Sequence, residues 1–153
     1  MNSYEALLNE AYKEGLTVKE KDLIASDGRI KGTRIAIRKN LKTNLQKSCV
    51  LAEEMGHHYT SVGNILDMSD TRNRKQERQA RLWAYNRLIG LRGIIKAYQS
   101  GCQDSHNMAD LLGVTEEFLQ ECIDCYREKY GVCTQLDNYT IFFIPNLAVL
   151  EKV

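Results

Sequence analysis

An α+β fold, mostly helical with one small antiparallel sheet and a C-terminal helix-turn-helix-like pair, is what this sequence predicts. Three observations lead there. Several long segments repeat apolar residues every three to four positions, the period of an amphipathic helix. A single proline in 153 residues argues against a loop-rich β-sandwich. One short stretch changes period instead: Ile35 and Ile37 alternate with Arg34, Ala36 and Arg38, as a strand with one wet face does.

In chain order, Tyr4, Leu7, Leu8, Ala11 and Tyr12 mark a helix over 3–14, with Ser3 as its expected cap and Gly15 as its stop. Leu16-Thr17-Val18 begins an extended stretch. Asp27-Gly28 signals a turn, and Ile30 to Arg38 completes a two- or three-stranded meander. Thr43 and Gln46 form a capping box, which starts a helix at about Asn44 that runs to about His58. Gly63-Asn64 falls in a loop. A third helix runs from about Arg72 to Ile89 with Ala80, Trp83, Ala84, Leu88 and Leu91 as its apolar stripe. Ser105 and Thr115 are expected caps of two further helices, stopped by Gly113 and Gly131. Tyr139 to Pro145 is a terminal β-type run.

Composition excludes several function classes. Hydrophobic residues are 43% and charged residues 27%, with a net charge of +1, so the chain is neither a disordered tail nor a polybasic nucleic-acid arm. The charge is segregated, with eight bases against two acids in 69–99 and seven acids against two bases in 100–130. The simplest reading is two solvated helix faces of opposite sign. No apolar run reaches the roughly 20 residues that span a bilayer. The first residues carry neither a basic nor an apolar targeting segment, and the cysteines number five. An odd count without an export signal fits reduced thiols, so a cytoplasmic location away from membranes is expected.

The chemistry concentrates in Cys49-Val50-Leu51-Ala52-Glu53-Glu54-Met55-Gly56-His57-His58-Tyr59. Glu53 and His57 are four apart on a helix and share a face, with Glu54 one position round. This is the spacing of H-E-x-x-H, in which two metal ligands at i and i+4 flank a carboxylate base. The tandem His57-His58 leaves a second register open, because Glu54 and His58 are also four apart. A third ligand is needed, and Glu77 is the best candidate. It lies in register with Ala80, Ala84, Leu88 and Leu91, and a carboxylate turned inward is costly unless paired or bound to metal. Glu53, His57 and Glu77 would then make a three-ligand site with one open position.

Here the chain resembles the ImmA/IrrE-type metallopeptidases, a zincin-like family common in phages and mobile elements. Leu51-Ala52-Glu53-Glu54-Met55-Gly56-His57 mirrors the family's L-A-H-E-x-G-H, and Glu77-x-x-Ala80-x-x-Trp83-Ala84 mirrors its E-x-x-A-x-x-F-A. The resemblance implies a zincin-like core over 1–100, with a helical pair and terminal β segment over 101–153 packed on it as one unit. It implies that His57 and Glu77 are metal ligands and that Glu54 is the catalytic base. It also implies a metal-dependent endopeptidase of a phage or integrated element, whose protein substrate is a repressor-type regulator.

The sequence departs from the family where its first ligand histidine is replaced by Glu53. A carboxylate reaches zinc at about the distance of an imidazole, roughly 2.0–2.2 Å. Two carboxylates and one histidine make a harder, more anionic set that also suits manganese or iron. The same departure motivates an alternative, a catalytically inactive anti-repressor that binds its regulator through protein contacts. His58, Tyr59 and Tyr85 are candidates for steadying an oxyanion. Cys122-x-x-Cys125 lies well inside a helix and reads as buried thiols, not as a zinc or redox pair. Met108 to Thr115 resembles the turn of a DNA-binding helix pair. Direct nucleic-acid binding is not expected, because Glu116, Glu117, Glu121, Asp124 and Glu128 would repel phosphates.

Overall fold

The computed structural model describes residues 2–60 and 70–153, with side chains over 2–60 and 74–153; the Gly63-Asn64 loop lies outside the described residues. Six helices and six strands are found among them. The chain packs as two compact units, Met1–Arg87 and Leu88–Val153.

The first unit opens with α1 (Ser3–Lys13). Its cap is Asn2, one residue before the expected Ser3, and the Asn2 side-chain oxygen accepts from the Glu5 N–H at 2.8 Å. Leu7 and Ala11 on its inner face are fully buried. The chain then enters β1 (Thr17–Lys21), β2 (Gly28–Lys31) and β3 (Arg34–Arg38). β2 and β3 form the expected antiparallel hairpin over Gly32-Thr33. Gly32 takes φ +61°, at the first central position of the two-residue turn, where a glycine is favoured. β1 pairs parallel to β3, so the order is β1-β3-β2 and β2 is an edge. Arg38 fixes the connection before β2, donating to the carbonyls of Ile24 and Ser26 at 3.2 and 3.1 Å. The period-2 reading of β3 holds, with Ile35 and Ile37 buried.

α2 (Asn44–Thr60) starts at the expected capping box. Thr43 Oγ1 accepts from the Gln46 N–H at 3.2 Å, and Gln46 Oε1 accepts in return from the Lys42 N–H at 2.9 Å. This helix packs on α1 and on the sheet, burying Leu51, Ala52 and Met55. α3 (Asp70–Leu88) supplies Ala80 and Ala84, both fully buried. Arg87 Nη2 pairs with Glu10 Oε2 on α1 at 2.7 Å.

The second unit contains α4 (Gly90–Gln99), a helix that the sequence analysis does not assign beyond the third helix's expected end at Ile89. The break falls at Ile89, and Gly90 takes φ +65°, the left-handed conformation that ends helices. α5 (Ser105–Leu112) is capped by Asp104, again one residue before the expected serine, and Gly113 stops it at φ +72°. α6 (Glu116–Tyr130) is capped by Thr115 as expected. The fully buried Val114 sits in the turn between the two helices. The terminal β run is larger than expected. β5 (Tyr139–Phe142) is the centre of an antiparallel sheet flanked by β4 (Cys133–Leu136) and β6 (Ala148–Glu151). Among the described residues, no helix is long and apolar enough to cross a membrane.

Candidate metal centre

The α2–α3 contact creates the site. Gly56 faces the backbone of α3 so closely that a Cβ there would run into the Ala80 carbonyl oxygen. It would also lie 3.0 Å from the Ala80 carbonyl carbon and Cα. Only glycine admits that approach. Glu77 lies one turn before Ala80, and His57 follows Gly56, so the same crossing brings the two side chains together. His57 Nε2 and Glu77 Oε2 are 2.9 Å apart. Glu53 lies one turn before His57. One donor atom from each of Glu53, His57 and Glu77 falls within 4.8 Å of the others. The three predicted ligand residues are thus brought to one place. His58, of the alternative register, points to α1, with Nε2 3.3 Å from Glu14 Oε1.

Glu77 is half-exposed, not turned fully inward as its register implied; its side chain keeps 36% of its exposure. Its second oxygen faces Arg81. Arg81 Nε lies 3.2 Å from Glu77 Oε1 and 3.7 Å from Glu53 Oε1. Nothing in the sequence reading singled out Arg81, although a Glu four residues before an Arg is a recognisable helical pair.

The electrostatics follow from crowding. Burial, together with a hydrogen bond to Glu77, pushes the Glu53 carboxyl up to about 8. The hydrogen bond to Glu77 holds His57 above its usual range, against the opposing effect of burial. The same bond draws Glu77 well below the usual carboxylate range. One imidazole nitrogen and two carboxylate oxygens are a donor set that zinc, manganese and ferrous iron all accept. On this chemistry the residues fit a divalent ion.

Glu54 sits on the adjoining face of α2. It is 9% exposed and packs against β2. A Cβ on Gly28 would come within 3.0 Å of Glu54 Cγ and 3.2 Å of Oε1, so the absence of a side chain there makes room for the carboxyl. Burial raises its pKa to about 7, partly offset by the His57 charge. In the sequence, Gly28 reads only as a turn; its place is the first residue of the edge strand.

Two of the oxyanion candidates are engaged elsewhere. His58 is held by Glu14, Tyr59 stacks on Trp83 with ring centroids 4.8 Å apart, and Tyr85 is buried. All five cysteines are free thiols. Cys122 is fully buried, which pushes its thiol up to about 12.

A family model for the IrrE N-terminal-like domain (Peptidase_M78) matches residues 11–123, from α1 into α6. No curated protein and no solved structure is significantly similar to the chain. The matched span contains every residue of the cluster and well over half of the chain. The chain therefore belongs to the IrrE N-terminal-like domain family, which is metallopeptidase-like in function.

Proposed function

We propose that the protein is a metal-dependent endopeptidase in which Glu53, His57 and Glu77 hold a divalent ion, zinc first, and Glu54 is the general base. The convergence of the three donor groups within 4.8 Å, beside a buried carboxylate, carries this reading. Bound there, the ion would supply the Lewis acidity that makes water a nucleophile near neutral pH and polarises a carbonyl. The other steps belong to the chain. Glu54, held between α2 and Gly28 of β2, takes a proton from the attacking water and returns it to the leaving amine. β2 is an edge strand, so an extended peptide pairing along it would pass Gly28 and hence Glu54. Its substrate is proposed to be a repressor-type regulatory protein of a phage or integrated element, a reading that rests on family resemblance alone.

The test is metal analysis of protein purified without chelators, followed by incubation of the zinc-loaded protein with a proteome-derived peptide library. Stoichiometric metal, lost with His57→Ala or Glu77→Ala, and cleavage abolished by Glu54→Gln are the expected results. One observation favours a second reading, the inactive anti-repressor: Arg81 already lies against both carboxylates. Protein that takes up no metal and cuts no peptide, yet binds its regulator, would establish that reading instead.

A further inference from the structure

Two acids placed side by side need a positive charge. In this chain His57 and Arg81 both supply it. Arg81 extends from α3 one turn beyond Glu77, and its Nε lies 3.2 Å from Glu77 and 3.7 Å from Glu53, across α2 and α3. Glu77 is engaged at both oxygens, Oε1 by Arg81 and Oε2 by His57. The guanidinium is always charged and its fork matches carboxylate oxygens, so it is suited to this role. Its side chain is 51% exposed, which leaves it room to swing into solvent.

We propose that Arg81 is the resident counter-ion of the site, a tethered cation that holds Glu53 and Glu77 together in the metal-free chain and competes with a divalent ion for them. The inference rests on the metal-centre reading above and adds a residue to it. A divalent ion held by the same carboxylates would lie near the guanidinium, and like charges at short range oppose each other. Arg81 therefore has opposite effects on two properties. It steadies the metal-free fold, and it weakens metal uptake. Arg81 thereby raises the free-metal concentration at which the site fills, and holds the donor groups in place until then.

The experiment compares wild type, Arg81→Gln and Arg81→Lys. Zinc affinity is read by competition with a chromophoric chelator, and thermal unfolding is followed in excess chelator. Exposed pairs contribute modestly, so the loss of two contacts predicts a change on the order of tenfold. Arg81→Gln should bind zinc about tenfold more tightly than wild type and unfold at a lower temperature in chelator. Arg81→Lys keeps the charge and should remain within a few-fold of wild type. Zinc uptake by Arg81→Gln alone, with none by wild type, would support the proposal in its strongest form. Equal or weaker binding by Arg81→Gln would overturn it, as would a lysine variant that behaves like the glutamine one, and both results leave the metal centre standing. If no variant binds zinc or manganese, the metal-centre reading itself is lost, and the competition with it.

Discussion

Gly56→Ala tests how the site is assembled. The added methyl would meet the Ala80 carbonyl oxygen, with the carbonyl carbon and Cα at 3.0 Å, against ordinary contacts of 3.4–4 Å. The obstacle is backbone, so no rotamer change relieves it, and the two helices must part by several tenths of an ångström. Overpacking costs roughly 1–3 kcal/mol, here at the upper end. Alanine in a helix regains about 1 kcal/mol over glycine, which leaves a net loss of roughly 2 kcal/mol. For a unit of this size that lowers Tm by roughly 10 °C. Parting α2 from α3 also lengthens the 2.9 Å bond between His57 and Glu77. Small displacements of ligand-supporting groups cost about 10–100-fold in metal affinity, so zinc binding should weaken by at least about tenfold. Differential scanning calorimetry and chelator competition read the two effects separately. A variant as stable as wild type, with unchanged zinc affinity, would show that α2 and α3 do not meet at Gly56, and the explanation of the cluster would go with it.

Three further outcomes are expected. Glu54→Gln should retain zinc at wild-type stoichiometry while peptide cleavage disappears, as read by metal analysis and mass spectrometry; surviving cleavage would reject Glu54 as the base. In excess chelator, the protein should lose thermal stability as pH rises from about 5 to about 8. The fold raises Glu53 from 4.5 to about 8, so its contribution is complete below 4.5 and is lost as pH passes through that interval. His57, also raised, acts in the same direction, whereas Glu77, lowered, matters only as pH falls below 4.5. Glu54, raised to about 7, acts likewise, so Glu53→Gln should make the fall shallower without abolishing it, and a stability that rises over the same interval would contradict the assignment. With a chromogenic thiol reagent, the exposed Cys133 should react first, and the buried Cys122 and Cys49 only on unfolding. Rapid reaction of Cys122 would mean that α6 does not pack as described.

Much of this was legible in the residues because local signals and tertiary packing agreed. Thr43 and Gln46 start α2, Ile35 and Ile37 face inward from β3, and Thr115 caps α6. The i, i+4 spacing placed Glu53 with His57, and helical register placed Glu77 toward them. What was missed depended on contacts distant in sequence. The split of α3 from α4 turns on Gly90, whose left-handed φ cannot be told from a tolerated helical glycine by pattern alone. Asn2 and Asp104 won the caps over the adjacent serines, within the one-residue uncertainty of helix ends. β4 and β6 are four-residue strands with weak patterns, and they exist through their pairing with β5. The motif marks Gly56 but not the close approach behind it, and the bare patch at Gly28 is a packing fact that no local pattern reports.

Because Glu77 arrives on a different helix from the other two donors, the set is complete only in the assembled tertiary structure. An ion recognised by all three would therefore discriminate folded from unfolded molecules, and at a hundredfold excess over its dissociation constant would shift that balance by about 2.7 kcal/mol. Zinc uptake then doubles as a reporter of folding, and a calorimetric titration with the metal would follow the docking of α3 on α2 without any label.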